Sequence, residues 1–247
     1  MENNKYRHMK TTKRVLLFFI LITTTSCMFD GFGIQGNQNV VREDRTLQSD
    51  FTKIKVSQGI NLFLTQGNEI DMNVEADENI IALLKTEVVR DELRIYFEKD
   101  VSRTTARNVY LVAARIEGIK TSSGAHVKNM RTIVTDRLDL NSSSGSGLTL
   151  NDIVAKAIVC SSSSGSNIEL SGETKVFKSN ASSGSHINAK DLTTEISQAA
   201  VSSGAGISTR VTDELNAHAS SGGSVSYVGN PAVLNKSKSS GGSISKN

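Results

Sequence analysis

The sequence is poor in the residues that usually fill a thick protein core. It has no Trp and a single Pro, Pro231, and only 5% of its 247 residues are aromatic. Hydrophobic residues of all types make up 37%, which is low for a core enclosed between layers of secondary structure. Aliphatic residues nevertheless alternate with polar ones along most of the chain, which argues against disorder. These features favour a narrow interior filled by Val, Ile, Leu, Ala and Ser.

The N-terminal hydrophobic run is too short to span a membrane. The stretch VLLFFILI, residues 15–22, has eight residues, whereas a transmembrane helix needs about 20. It follows five basic residues and precedes the small residues of TTTSC, which is typical of a cleaved export signal over residues 1–26. The ending Thr24-Thr25-Ser26-Cys27 resembles a bacterial lipoprotein signal, which implies a lipid anchor on Cys27. Ordinary secretion, with cleavage after a small residue, is the alternative, and both predict an exported protein.

The charge and cysteine content argue against a nucleic-acid-binding protein and against a protein stabilised by an intramolecular disulfide. Without residues 1–26, the 28 Lys and Arg and 25 Asp and Glu residues become 23 and 24, so the chain is not basic and no nucleic-acid partner is predicted. Cys27 and Cys160 are its only cysteines. With Cys27 lipidated, Cys160 has no intramolecular disulfide partner and is predicted to be a small buried hydrophobic residue.

The tripeptide Ser-Ser-Gly, in contrast, is abundant and regularly spaced. It recurs seven times at intervals of 18 to 21 residues, with its glycine at Gly124, Gly145, Gly165, Gly184, Gly204, Gly222 and Gly241. The residue one position after each glycine is always small. The residue three positions after it is always aliphatic: Val127, Leu148, Ile168, Ile187, Ile207, Val225 and Ile244. A flexible linker has no reason to keep such spacing, so the pattern indicates a folded repeat.

A repeat of about 20 residues without helical periodicity predicts an all-β fold, a parallel β-helix in which one chain winds as a solenoid. A leucine-rich repeat of similar length would require a Leu/Asn pattern that is absent. Coils of a β-helix stack about 4.8 Å apart, so seven of them form a column of roughly 34 Å. The aliphatic residues, among them Val127, Leu148, Ile168, Ile187 and Ile207, are predicted to form one continuous interior column.

The alternation of side chains along a strand predicts which residues of each repeat face inward. If the strand runs straight through the glycine, the second Ser and the residues one and three after the glycine face the interior. The first Ser, the glycine and the residue two after it then face outward. A glycine with positive φ at a corner would reverse this assignment upstream of it. In the last coil, Pro231 and the lysines Lys236, Lys238 and Lys246 would protect an open strand edge.

The region before the repeats also looks strand-like. FTKIKVS, INLFLTQ, IDMNVEA, ELRIYFE and NVYLVAARI alternate, whereas NIIALLKTEVV fits either a short helix or a buried strand. We interpret residues 27–38 as a tether and 39–247 as one β-helix domain. Within it, residues 39–116 form irregular first coils and 117–247 the regular repeats. A separate small β domain upstream is the alternative.

Several stretches resemble one known family. GIQGNQNVVREDR, then FTKIKVSQGINLFLTQG with Gly59-Ile60-Asn61, then VEADENI, the Ser-Ser-Gly repeats and the closing YVGNP are similar to the head GIN domain family of auto-transporter adhesins. The resemblance covers roughly residues 33–247. It implies a right-handed parallel β-helix in an exported protein or lipoprotein of the cell envelope, and it brings no catalytic motif or cofactor with it.

Residues that could carry chemistry are few. His126 and His186 occupy the same place in coils three apart, about 14 Å from each other, which is too far for a shared metal ion. Asp152 and Asp191 both follow their glycine by seven residues, in coils two apart, and could lie about 10 Å from each other. That separation is slightly too large for the usual pair of carboxylates in a glycosidase, so they are predicted to be solvated turn residues. We therefore expect no metal site and no cofactor.

The serine residues have no nucleophile signature, because no Gly-x-Ser-x-Gly motif and no activating His accompany them. They either allow close packing of the coils or present hydroxyl groups to a ligand. In the second case the candidate ligand-binding stripe contains Ser122, His126, Ser143, Ser163, Asn167, Ser182, His186 and Ser202.

The sequence as a whole predicts a non-catalytic binding module, an adhesin of the cell envelope. We expect it to be an outer-membrane lipoprotein, on the periplasmic or the surface side, held by its lipid anchor. A glycan or another surface polymer and a second copy of the chain are the candidate partners. The alternatives are a carbohydrate-active enzyme of the β-helix type, either a polysaccharide lyase or a hydrolase, and a structural protein of envelope assembly.

Overall fold

The computed structural model describes residues 33–47 and 49–247. The predicted signal and Cys27 lie outside the described residues. The described chain is built from strands, with one 3-10 turn at Ile81–Leu83, and none of its helical segments is long and apolar enough to cross a membrane. Stacked parallel strands form a β-solenoid of about six turns that repeat about every 20 residues. The predicted parallel β-helix is therefore confirmed.

The strands follow one another with few irregular segments. In chain order they are β1 (Ile34–Gln35), β2 (Val40–Asp44), β3 (Lys53–Val56), β4 (Asn61–Gln66), β5 (Asp71–Asp77), β6 (Leu84–Val89), β7 (Glu92–Phe97), β8 (Val101–Ser102), β9 (Arg107–Ala113), β10 (Gly118–Thr121), β11 (His126–Asn129), β12 (Ile133–Ser142), β13 (Gly147–Ser162), β14 (Asn167–Ala181), β15 (His186–Val201), β16 (Gly206–Ala219), β17 (Ser224–Val228), β18 (Val233–Lys238) and β19 (Ser243–Lys246). The ambiguous segment NIIALLKTEVV contains the 3-10 turn and strand β6.

The predicted aliphatic column is confirmed. Its members are in register from coil to coil, each paired with its neighbour in a parallel ladder, and all are buried. The ladder also extends beyond the seven predicted residues, because Val127 pairs with Leu62 and Leu62 pairs with Val109. Burial of aliphatic side chains against the coils above and below is the main stabilising contribution in such a stack.

Each Ser-Ser-Gly triplet forms a tight turn at the same corner of the coil, which we call the serine corner. In the first turn Ser123 and Gly124 have φ values of 51° and 72°, and the Ala125 amide donates to the Ser122 carbonyl at 3.1 Å. These are the features of a type I′ turn. The serine before the glycine and the glycine itself have positive φ in all seven triplets.

The turn geometry corrects one part of the predicted inward face. Downstream of the glycine the assignment is right, because the residue three positions later is buried in every coil. At the turn itself it is wrong, because the second Ser is exposed in every triplet. The residue before the triplet is buried in the first six coils, as a straight strand also requires, and is the exposed Lys238 in the last. Two consecutive residues with positive φ turn the second Ser outward but leave the alternation of the entering strand unchanged, because Cys160 and Ser162 are buried before the turn and Ser166 after it. The reversal expected for a glycine with positive φ therefore does not occur. The exposed second serines are Ser123, Ser144, Ser164, Ser183, Ser203, Ser221 and Ser240.

Residues 39–116 contribute strands to the same large sheet as the repeats. Strand β3 lies between β7 and β10, and β4 lies between β9 and β11, all in parallel. Ser57-Gln58-Gly59 has the same turn as the triplets, with φ of 58° at Gln58 and 68° at Gly59. The Gly59-Ile60-Asn61 motif is therefore a further serine corner, in which Gln58 takes the place of the second Ser.

Antiparallel strands close the N-terminal end of the solenoid. Strand β5 pairs with β9 and β2, and β6 pairs with β7. Asp77, which is fully buried, joins this cap to the coils: its carboxylate accepts hydrogen bonds from the amides of Gln38 at 3.0 Å, Thr105 at 2.9 Å and Ala106 at 3.0 Å. Burial alone would favour the neutral acid, but these backbone donors hold the pKa of Asp77 below its usual value.

The C-terminal end is closed differently. Every residue of β18 is exposed, and Lys236 and Lys238 take the positions that Ala217 and Ala219 hold in the coil before. The Lys236 ammonium lies 4.8 Å from the centre of the Tyr227 ring. Charged side chains at core-facing positions prevent another chain from stacking on this end.

The glycine of a Ser-Ser-Gly triplet and Gly172 differ in the space available for a side chain. A Cβ at Gly165, φ 69°, would have no atom within 4 Å, whereas at Gly172, φ 122°, it would lie 2.1 Å from the Ile153 carbonyl oxygen. We expect Gly165→Ala to cost about 1 kcal/mol through its backbone conformation. Gly172→Ala should cost about 3 kcal/mol or more, because overpacking is added. Equal shifts of the two denaturation midpoints would contradict this.

Asp77 predicts a loss of stability in acid. Because its folded-state pKa is lowered, its contribution is complete above the unfolded pKa, about 3.9, and is lost as the pH falls through the folded value. Asp77→Asn should lower the urea midpoint at pH 7 and weaken its fall between pH 5 and 2. Asp71→Asn, on the exposed start of the same strand, is the matched control. A variant with an unchanged midpoint at pH 7 would show that the carboxylate does not hold the cap.

Candidate functional site

The predicted ligand-binding stripe is divided by the serine corner. The first serines of the triplets, Ser122, Ser143, Ser163, Ser182 and Ser202, are half-buried and stack at the end of the strand that enters the turn. His126, Asn167 and His186 are exposed and lie on the strands that leave it, in register with one another. The structure therefore brings the serines together in one row and the other three residues together in another, on different faces.

The two histidines each pack over a glycine of the following coil. A Cβ at Gly147 would lie 2.6 Å from His126 Nδ1, and one at Gly206 would lie 2.6 Å from His186 Nε2. This explains why glycine recurs at an otherwise variable position. Among residues 33–47 and 49–247, no group of three or more His, Cys, Asp or Glu side chains could hold a metal ion.

Asp152 and Asp191 lie at a different corner of the coil. Both are exposed, and Ser171 stands between them: its side chain accepts a hydrogen bond from the Asp152 amide at 3.2 Å, and its backbone pairs with Asp191. Neither carboxylate lines either of the grooves described next.

A groove of 480 Å³ runs along the entering side of the serine corner, and we call it the corner groove. One wall is the row of first serines from Ser143 to Ser220. The other is a row of outward side chains in register, one per coil: Asn141, Ser161, Asn180, Ala200 and His218. Hydroxyl and amide groups thus repeat along the groove at the spacing of the coils, about 4.8 Å.

A second groove of 720 Å³, the sheet groove, adjoins the first. The two share Asn180, Ala200 and His218. Its other walls are formed by the next outward row of the same strands and by the last coil: Lys178, Gln198, Asn216, Leu234, Asn235 and Lys236. Together the two grooves form one continuous concave surface with hydrogen-bonding groups along its length.

The buried hydroxyls at the corner are used internally. The Ser166 hydroxyl lies 2.8 Å from that of Ser162, donates to the Ser142 carbonyl at 2.8 Å and accepts from the Ser163 amide at 3.2 Å. Two coils later Val201 and Ala205 take the places of Ser162 and Ser166 and are also buried. These serines thus serve packing, and only the outward ones remain for recognition.

Cys160 has no exposed surface, as predicted. Burial raises the pKa of its thiol far above the usual value, which removes the reactive thiolate at physiological pH.

The outer wall of the corner groove was not among the predicted site residues. Its residues lie two positions before the first Ser of each triplet, on the strand that enters the turn, whereas the predicted stripe contained only the first serines and residues after the glycine. The signal that could have found them is the recurrence of Asn or Ser at that position, in Asn141, Ser161 and Asn180.

Comparison with known proteins agrees with this architecture. The chain belongs to the family described as "Putative auto-transporter adhesin, head GIN domain", whose model matches residues 50–231, and the resemblance seen in the sequence is confirmed. No functionally curated protein is similar enough to match it.

Solved structures share the fold. A "putative adhesin" from Bacteroides fragilis superposes with a TM-score of 0.81 at 21% identity, covering 87% of this chain and 100% of that one. A "putative lipid binding protein" from Parabacteroides distasonis has a TM-score of 0.73 at 21% identity, with the same coverage. A "putative adhesin" from Parabacteroides merdae has a TM-score of 0.70 at 18% identity, covering 88% and 100%.

The hydroxyl pair at the corner can be tested by a double-mutant cycle. Ser162→Ala and Ser166→Ala should each cost about 1 to 3 kcal/mol, because each leaves a buried hydroxyl without its partner. The double variant should cost less than their sum, since it resembles the Val201 and Ala205 coil. Ser161→Ala, on the outward face, should change stability by less than about 0.5 kcal/mol. Additive free energies of unfolding would contradict a shared network.

Proposed function

We propose that this protein is an exported, non-catalytic adhesin of the bacterial cell envelope that holds an extended glycan in the corner groove. The observation that carries the proposal is the regular row of outward hydroxyl and amide groups, one or two per coil, along that groove. Such groups supply both donors and acceptors at fixed intervals, which suits a polymer with repeated hydroxyl groups.

Rigidity supports the same function. The rows lie on strands that are hydrogen-bonded to the coils on both sides, so the groups are held in place before a ligand arrives. A preformed site reduces the entropy lost on binding, which favours the weak, repeated contacts of a polymer.

Attachment to the envelope is the second part of the proposal. Membership of an adhesin family supports export or surface exposure. The TTTSC ending of the signal supports a lipid on Cys27 and anchoring in the outer membrane. A lipid tether leaves the solenoid free to meet polymers near the membrane.

Binding of the mature chain, residues 27–247, to an array of bacterial glycans tests the proposal. Ala200→Trp should block both grooves and abolish binding, and Asn180→Ala should weaken it by about five- to tenfold by removing one hydrogen-bonding amide. Asn188→Ala, on an outward position of another face of β15, is the matched control and should bind like the wild type.

Thermal unfolding of each variant shows whether the solenoid is intact. Failure of the mature chain to bind any glycan would contradict the proposal, as would full binding by Ala200→Trp. Release of sugar fragments from a bound polysaccharide would show an enzyme instead.

A further inference from the structure

The charged groups of the combined groove have one sign. Among the described residues that line the corner and sheet grooves, Lys178 and Lys236 are the charged side chains, and no carboxylate is present. The lining also contains no Phe, Tyr or Trp, so it offers a sugar ring no broad aromatic surface for stacking. Binding must therefore rely on hydrogen bonds and on the two ammonium groups.

The two lysines are not neutralised by their surroundings. Neither forms an ion pair with another described residue, and the Lys236 ammonium faces the Tyr227 ring. Asp139, two coils before Lys178 in the same row, pairs with Arg137 at 2.9 Å, and Glu214 accepts from the side-chain amide of Asn216 at 2.6 Å. The positive charge is thus available to a ligand.

The outer row of the corner groove continues into a basic segment. Beyond Asn141 its register passes to Lys120, then Lys55, then Arg94, one residue per coil. Like charges on adjacent strands repel each other, which costs stability. Glu92 compensates part of this, because it pairs with Lys120 at 2.8 Å and with Arg94 at 3.2 Å. Lys55, between them, is in no ion pair with another described residue.

We infer that the ligand of the groove is an acidic polysaccharide, such as a polymer of uronic acids. The inference rests on the proposed function and adds the chemical class of the glycan. Hydroxyl and amide groups of the corner groove contact the sugar hydroxyls. Lys178 beside the middle of the groove, Lys236 at its C-terminal end and Lys55 beyond the other end contact the carboxylates of the polymer.

Polygalacturonate, alginate and their methyl-esterified forms are suitable probes, since esterification removes the charge and keeps the sugar backbone. We expect the mature chain to bind at least one acidic polymer, and to bind its ester at least tenfold more weakly. Raising the salt from 0.05 to 0.5 M should weaken only the acidic complex, because salt screens exposed charges.

Lysine variants test the assigned residues. Lys178→Gln and Lys236→Gln should each weaken binding of the acidic polymer by up to about fivefold, and the double variant by more, in line with exposed charge pairs. Lys175→Gln removes the same charge from an exposed position on another face and should have no effect. Unfolding midpoints of Lys178→Gln and Lys175→Gln should equal that of the wild type, because these lysines are in no ion pair. Lys236→Gln should lower the midpoint slightly, because it loses the contact with the Tyr227 ring.

The outcomes separate this inference from the proposed function. If acidic and esterified polymers bind equally and Ala200→Trp abolishes both, the groove binds glycans but the acidic class is wrong. If no acidic polymer binds more tightly than its ester, or if the lysine variants bind like the wild type, the inference is overturned. Lysine-dependent binding to phosphatidylglycerol vesicles without binding to the polymers would identify an anionic membrane instead and would also overturn it.

Discussion

The structure depends on hydrogen bonds that join each serine corner to the next. The Gly165 amide donates to the Ser183 carbonyl at 3.1 Å, and the Gly184 amide donates to the Ser203 carbonyl at the same distance. Even Gly59 follows the pattern, donating to the Ser123 carbonyl at 2.9 Å. These bonds place equivalent residues of successive coils directly above one another. The aliphatic column, the buried hydroxyl pairs and the outward rows all follow from this alignment.

Much of this architecture could be predicted because the same pattern of residues recurs in every coil, so its recurrence identifies the buried positions. The aliphatic residue after each glycine revealed the column from Val127 to Ile244, since burial tolerates only apolar side chains there. The exposure of the second Ser could not be predicted in the same way. Ser occurs on both sides of the turn and is small and polar, so its identity does not show that Ser162 faces the interior and Ser164 does not. Only the positive φ of two consecutive residues decides that.

The residues of the candidate site were likewise only partly predictable from the sequence. The first serines and the histidines share a short stretch of sequence, yet the turn sends them to different faces. The groove depends instead on residues such as Asn180 and His218, which are about 38 positions apart in the chain and two coils apart in space. Outward residues are free to vary, so no single letter repeats along the whole wall. These residues form one wall because the strands of successive coils pair in register, and that register cannot be read directly from the sequence.

The order of coils at the N-terminal end has a consequence for how the chain folds. The coil made by β3 and β4 lies between one made by β7 and β9 and another made by β10 and β11, both of which come later in the chain. During synthesis, both edges of the β3–β4 coil can be paired only after residues up to about 129 have been made. Such long-range pairing is slow. The regular coils can then add one at a time onto the coils already formed, so the slow step of folding lies in the N-terminal half of the chain.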